Sequence, residues 1–414
     1  MKRYYPRLAI LCSLISSHSQ AAAMDQSGQS VLPFLEFGHY FEATITAADP
    51  EVSGHTLGSR PDLVNADSGD ATTDNIAQNF QYHSAALKLQ FIPNFSFGIL
   101  YDQPFGSDLH YPLKDNGSFS DTALSQQGTQ VNVDSQNLSF ILGYQPVKNI
   151  NLYAGPAYQT VKGHVALRGQ VYAEFNGYNA KFKQDAALGW KAGLAYQLPE
   201  IDLKAALTYH SKINHKINVE ENILGTPLLL AANAKTKVST PQSVNLDFQT
   251  GMMSGTLLYT TIRWVNWKDF IIRPTQFGAL SELATTTLSN GTYTEGFNLD
   301  DYQNNQWSVT LGLARQLTTK WSASFDLGWD SGTGNPASIL NPTKGYSSAG
   351  LGLQFNPEPN YFISGGVKYY WLGDATAQDG TYYLPLPGIS EASQVGEFNH
   401  NHAIGYGLKI GYKF

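Results

Sequence analysis

Apolar residues alternate with small or polar ones along most of this chain, at a period of two. In the last eleven residues Ile404, Tyr406, Leu408, Ile410, Tyr412 and Phe414 share one face. Gly405, Gly407, Lys409, Gly411 and Lys413 share the other. Successive strand side chains point to opposite faces, so the pattern predicts strands lying between two unlike surroundings. It recurs at Ala85–Phe91, Phe95–Tyr101, Leu138–Tyr144, Leu152–Tyr158, Trp190–Tyr196, Leu203–Tyr209, Trp307–Leu313, Trp321–Trp329, Ala349–Phe355 and Tyr361–Trp371. Aromatic residues tend to close these runs. Short turns are expected at Pro93–Asn94, Pro146–Asn149, Pro199–Glu200, Gly251–Gly255, Thr318–Lys320 and Asn356–Asn360. Between them lie long polar stretches, at roughly 50–80, 112–128, 163–186, 214–241, 265–304, 330–346 and 373–400. Six turns and seven loops predict fourteen strands with both termini on one side. Even strand number, short turns at one end and long loops at the other describe a closed antiparallel β-barrel in a bacterial outer membrane.

The first residues change the picture of where the chain goes. Lys2, Arg3 and Arg7 precede a short apolar run from Leu8 to Ile15, and Ala21-Ala22-Ala23 offers small residues for cleavage. This reads as a secretory signal over residues 1–23. Leu11 stands before Cys12 where a lipoprotein signal needs a small residue, so no lipid anchor is expected. Cys12 is the only cysteine, and its removal leaves no thiol for a disulfide or a metal. Loss of the three basic signal residues leaves 23 basic against 33 acidic residues, a net charge of −10. Such a surface excludes nucleic acid as a partner. Only 14% of residues are charged, while 13% are aromatic. A soluble chain carries about 25% charged residues, so a lipid-facing exterior fits better. After the signal no apolar stretch is long enough for a membrane helix. The expected organisation is therefore a signal at 1–23, a short N-terminal segment at 24–33 that could serve as a reduced hatch, and a barrel over 34–414.

Three segments carry a family resemblance. Phe95–Tyr111 reads FSFGILYDQPFGSDLHY, and Gly189–Ser211 reads GWKAGLAYQLPEIDLKAALTYHS. From Pro241 to Phe270 the chain runs from PQSVNLDF to RWVNWKDF. In this order and spacing they resemble the FadL/TodX family of outer-membrane long-chain fatty-acid and hydrocarbon transporters, over about Phe34 to Phe414. The resemblance implies a fourteen-stranded barrel that takes up a greasy ligand among its outer loops. It also implies a lumenal pocket and release sideways through a gap made by a kink in the third strand, with no energy source.

Candidate residues follow. Gln103-Pro104-Phe105-Gly106 interrupt the third strand. Proline cannot donate a ladder hydrogen bond and glycine tolerates unusual backbone angles, so a kink that opens the wall is expected. The other reading is a strand end at Asp102, but His110 and Tyr111 resume the pattern. Ile223, Leu224, Leu228, Leu229 and Leu230 form an apolar run in an outer loop, where such patches mark binding sites. Phe175, Tyr178 and Phe182, in the preceding outer loop, are expected to form the facing wall. The alternative is a loop core packed on itself. A carboxylate head group would need a cation, ideally arginine. Arg168 and Arg273 fall near the places the resemblance assigns, with Lys162, Lys204 and Arg263 as rivals.

The chain also departs from the family. A lumenal hatch of about forty residues with an Asn-Pro-Ala motif is usual there, whereas only Met24–Pro33 precede the first strand here. The sole Asn335-Pro336-Ala337 lies in a late outer loop, so outer loops are expected to fold inward instead. No enzyme motif is present: there is no GxSxG and no HExxH. No cofactor or metal is expected. The expected partners are a long-chain fatty acid or similar hydrophobic ligand, outer-membrane lipid and lipopolysaccharide, and the barrel-assembly machinery that reads a terminal aromatic such as Phe414. The chain is expected to act as a monomer. A general diffusion porin and a surface adhesin or receptor barrel are the alternatives.

Overall fold

The computed structural model describes residues 24–57, 72–113, 118–121, 123, 125–232 and 234–414. The expected signal peptide lies outside the described residues. Fourteen antiparallel strands close into a barrel. They are β1 (Tyr40–Glu51), β2 (Phe80–Ile92), β3 (Phe95–Asp102, continued by Gly106–His110), β4 (Gln130–Val147), β5 (Ile150–Ala166), β6 (Tyr178–Leu198) and β7 (Leu203–His210). Then come β8 (Ser243–Met253), β9 (Thr256–Val265), β10 (Gln306–Gln316), β11 (Trp321–Asp330), β12 (Tyr346–Glu358), β13 (Tyr361–Leu372) and β14 (His402–Lys413). Pairing of β14 with β1, from Lys413↔Tyr40 to His402↔Glu51, shuts the cylinder.

Closure follows from the solvent. A bilayer offers no partners to backbone N–H and C=O groups, so a sheet inside it can have no free edge. Leu142, Leu194, Leu327, Leu351 and Leu408 point outward, while Ser139, Ala195, Ser324, Ser364 and Lys409 are buried inside. Trp321 and Trp329 bracket the outward face of β11. Eight residue steps span about 27 Å of strand. With the usual barrel tilt that is an apolar band about 20 Å tall, close to what an outer membrane needs. Tyr158, Trp190, Trp307 and Trp371 sit at the height of Trp329 and form the outer girdle. Phe95 and Tyr144 (4.9 Å) and Trp321 and Phe355 (4.7 Å) pair in the inner one.

The lower lumen is filled from the N-terminus, while Trp267 and Phe270 of the fifth outer loop fold into its upper part against Phe105. Val31, Phe34 and Leu35 are fully buried, and a short 3-10 turn at Leu32–Leu35 sets them inside the barrel. The phenyl ring of Phe34 lies where any Cβ at Gly98 would stand, 2.4 Å away. It packs edge-on to Tyr153 at 5.8 Å. Glycine at position 98 is thus what lets the plug reach the wall. Below it Glu36 receives Lys204 at 3.0 Å and Lys413 at 2.9 Å.

Three further boundaries differ from expectation. The wall begins at Tyr40 and not at Phe34, which belongs to the lumenal turn. The third outer loop covers only 167–177, because β5 and β6 run well above the membrane. Tyr178 and Phe182 are therefore strand residues. The fifth outer loop contains a helix, α1 (Thr275–Leu288), that the periodicity does not show.

Truncating the plug anchor tests this arrangement. Phe34→Ala should lower the stability of the folded barrel by ~3–5 kcal/mol, the usual cost of emptying a phenyl-sized site. The thermal midpoint of heat-modifiable gel migration should fall accordingly, with the strand signature in circular dichroism unchanged.

Candidate functional site

The third strand is broken where the sequence places Gln103–Phe105. Asp102 pairs with Asn137 and Gly106 with Asp134, so three residues of β3 face two of β4. This is a bulge, and it shifts the side-chain phase of the strand. On the other side the loss is larger. The β2–β3 ladder runs from Ile92↔Phe95 to Ala85↔Tyr101 and stops. Residues Phe80–Ser84 stay paired to β1 but have no ladder partner on β3. Contact resumes only at the bridge Ala77↔Leu109. The wall thus has a window between β2 and β3, just beyond Tyr101.

Substitute groups satisfy the backbone around it. The Ser135 hydroxyl accepts from Phe105 N at 2.8 Å and donates to Phe105 O at 2.6 Å. The Gln103 side chain accepts from His83 N at 2.7 Å. From within, Gln26 N donates to Pro104 O at 2.8 Å, and Gly106 N donates to Met24 O at 2.9 Å. A Cβ at position 106 would meet the Gln26 amide at 2.5 Å. Asp25, at the centre of this contact, is held by Arg263 at 2.7 Å. The N-terminal segment is therefore stitched to the kink.

Phe105 turns into the lumen and packs edge-on to Trp267 at 5.6 Å. With Met24, Val161, Phe182, Phe270 and Val238 they line an apolar cavity of about 50 Å³. A second, polar cavity of about 60 Å³ lies against the window, lined by Tyr82, Ser84, Tyr101, Asp102 and Lys191. A third, of about 200 Å³, lies among the outer loops, lined by Phe175, Phe277, Phe297, Leu299, Leu340 and Leu384. Phe175 and Phe277 stand 4.9 Å apart, and Phe277 meets Tyr178 at 5.2 Å. One contiguous apolar cluster links this groove, through Tyr178, Phe182, Trp267 and Phe270, to Phe105 and Met24.

The sequence-predicted residues fall unevenly on this geometry. Phe175 lines the groove and Phe182 the inner cavity, with Tyr178 between. Ile223 and Leu228 pack at the cluster's edge. Leu224, Leu229 and Leu230 are not in the groove, and Leu229 is 88% exposed. The wall facing Phe175 comes instead from α1 and from the sixth and seventh outer loops. Arg168 and Arg273 are not brought together. Arg168 is buried and donates to Leu167 O, Tyr178 O, Gln127 Oε1 and Asn179 Oδ1. Arg273 pairs with Glu282 at 2.8 Å and donates to Glu295 O. Each of these two arginines already has protein acceptors, though the buried Arg168 Nε has none. Of their rivals, Lys162 pairs with Asp134 at 3.3 Å, Lys204 with Glu36 and Arg263 with Asp25. Among the described residues no cluster of three His, Cys, Asp or Glu could hold a metal.

A distant carboxylate sets α1 in place. The helix has no side-chain cap of its own at Pro274. Glu221, on the fourth loop, accepts from Gln276 N at 3.0 Å and Phe277 N at 2.7 Å, and from the Tyr178 hydroxyl at 2.8 Å. A helix start leaves such N–H groups unpaired and favours negative charge. Glu221→Ala should cost about 1–3 kcal/mol locally by stranding buried donors. Amide exchange at Gln276 and Phe277 should accelerate while the barrel strands stay protected.

Asp300, in the same loop, is half-buried and its carboxyl is pushed up to about 7 by desolvation, against a Ser338 hydrogen bond. The fold favours its protonated form. Its stabilising contribution is full below the unfolded value of about 4 and is lost as pH rises through about 7. The short pairing of Ile271–Ile272 with Asp300–Asp301 should exchange faster as pH climbs over that window. Asp300→Asn should flatten the dependence.

Comparison with known proteins agrees with this architecture. A crystal structure of a Pseudomonas aeruginosa FadL homologue superposes with TM-score 0.64 at 13% identity, covering 97% of each chain. The Pseudomonas putida toluene transporter TodX superposes with TM-score 0.59 at 10% identity, over 99% of this chain and 98% of that one. The Ralstonia pickettii toluene transporter TbuX gives 0.57 at 11%, over 97% and 99%. A curated relative, the attachment invasion locus protein of Yersinia pseudotuberculosis serotype I (strain IP32953), is 30% identical over 112 residues. That match takes in 26% of this chain and 60% of the relative's length. Residues 37–414 match the family model described as outer membrane protein transport protein (OMPP1/FadL/TodX), and the chain belongs to that family of outer-membrane β-barrel transporters.

Proposed function

We propose that this barrel moves uncharged hydrophobic compounds passively from the outer-loop groove, past Phe182 and Trp267, to the break at Pro104, where they leave sideways into the membrane. The observation that carries this reading is the continuous apolar cluster joining groove and kink. Oily solutes gain free energy at each step out of water, roughly 25 cal/mol per Å² of apolar surface, so no energy source is needed. The lipopolysaccharide sugars are the barrier and the barrel bypasses it.

Charge argues for a neutral cargo over a fatty acid. The described residues lining the groove include Glu174 and Asp379 but no Lys or Arg. In the inner cavity Lys162 is the sole cation among them, and Asp134 already holds it. A carboxylate would meet acidic neighbours in the groove and, in the inner cavity, only a lysine that already has a partner, and burying it unpaired is costly. A general diffusion pore fits poorly because the N-terminal plug and Arg263–Asp25 occupy the lumen.

Uptake tests both parts. Labelled toluene should enter cells carrying the protein faster than a labelled long-chain fatty acid. Replacing Pro104 and Gly106 together by valine should straighten β3 and strongly reduce toluene uptake, while heat-modifiable migration shows a folded barrel. Unchanged uptake in that folded variant would remove lateral release at Pro104.

A further inference from the structure

The ladder is interrupted at a second place, between β6 and the extension of β7, although the two strands stay side by side. At the bottom, β6 pairs with β7 from Leu198↔Leu203 to Lys191↔His210. At the top it pairs with a short strand, Val219–Ile223, from Phe182↔Val219 to Tyr178↔Ile223. Both stretches obey one register, so no residue is inserted between them. Yet Gln184–Gly189 and Lys212–Ile217 form no ladder with each other among the described residues. The slit is closed at its two ends by Lys183 N→Asn218 O (3.0 Å) and Ser211 N→Trp190 O (2.9 Å).

The cause is a mismatch of side-chain phase. In β6 Tyr178, Ala180 and Phe182 face inward, then a bulge opposite Lys162 inverts the pattern. Below it the inward positions are Asp185, Ala187, Gly189 and Lys191. The β7 chain inverts lower down, at Ser211–Lys212: Thr208 and His210 face inward, then Ile213, His215 and Ile217. Its hairpin partner Thr236–Thr240 inverts with it at Pro241–Gln242, so that pairing survives. Between the two inversions, β6 and β7 present opposite pleats at matching positions. A one-residue phase error puts every side chain on the wrong face, so the strands cannot zip there.

A side chain spans the slit instead. Asp185 Oδ2 accepts from Lys216 N at 3.3 Å and contacts His215 Nδ1 at 3.1 Å. His215 Nε2 contacts Gln159, which also receives the Thr240 hydroxyl. Ile213 fills the space over Gly189. Behind this network lies the apolar cavity, whose lining includes Phe182, Ile217, Val238 and Thr240 as well as Phe105. Phe105 bonds to Ser135, Ser135 pairs with Val161, and Val161 with Asp185. Kink and slit therefore flank the β4–β5 panel at one height, and the same cavity touches both. Outside, Leu188 on the lip of the slit and Trp190 at its lower end are exposed, at the outer girdle.

We infer that the β6–β7 slit is a second lateral outlet for uncharged hydrophobic solutes, latched by the Asp185 side chain where a backbone ladder would seal the wall. This rests on the transport reading above. A latch of one carboxylate can swing aside without unzipping a strand, which a ladder cannot.

The test bridges the slit. The mature chain is expected to carry no thiol, so Ala186→Cys with Asn214→Cys gives two exposed positions on its opposite lips. A short, reducible bis-thiol reagent joins them in the full-length protein in cells. Toluene uptake should fall, by less than in the Pro104/Gly106 variant, and return on reduction. The single-cysteine variants should be unaffected by the reagent. Full cross-linking with unchanged uptake would overturn the second outlet. Uptake lost in the Pro104/Gly106 variant but unaffected by the bridge would leave the first outlet standing alone. If neither change affects uptake, the lateral transport reading itself fails.

Discussion

Everything in this molecule depends on one constraint: inside a bilayer no backbone N–H or C=O can be left without a partner. The constraint makes the sheet close on itself and keeps the strands regular through the lipid band. It also decides where the wall can be broken. Both breaks begin at the outer girdle, next to Tyr101 on one side and Trp190 on the other. At each, side chains stand in for the ladder. Ser135, Gln103 and the N-terminal segment serve the β3 break, and Asp185 serves the β6 slit.

The lumen shows the same economy with charge. Lysines and an arginine project inward because they cannot face lipid, and most are met by carboxylates: Lys409 by Glu42, Lys368 by Asp326, Arg263 by Asp25. Desolvating such pairs is costly and seldom adds much stability. Their effect here is positional. Arg263 fixes Asp25, and Asp25 sits in the bridge to Phe105, so a buried ion pair holds the plug against the break in the wall. The apolar route is kept apart, above this polar floor, and meets it only around Met24 and Phe105.

The sequence was informative where the physics is periodic. Strand number, the turn and loop ends and the interruption at Pro104 all appear as patterns of two or as breaks in them. It was silent where a contact joins distant residues. Nothing near Thr275 signals a helix start, since the cap is Glu221 from another loop and the helix itself is rich in β-branched threonine. Arg168 reads as a free cation in a loop, but four carbonyl and amide oxygens surround it. The run at Leu228–Leu230 reads as a wall of the groove because it is greasy, while loop packing turned Leu229 to solvent and left the wall to Phe277, Phe297 and Leu340. Composition identifies greasy residues and cannot say which of them face each other.

The same limit explains why the β6 slit cannot be read from the chain. Each strand there alternates correctly by itself. The bulge opposite Lys162 and the inversion at Ser211–Lys212 are each a local event that a barrel rim commonly tolerates. Only their difference in height matters, and height is a property of two strands in register. Had β7 inverted level with β6, the ladder would have been continuous and the cavity sealed on that side. Inverting lower leaves a stretch in which neither strand can supply the other's hydrogen bonds. A side chain then has to close the wall, and a closure made by one side chain is the kind that can be opened.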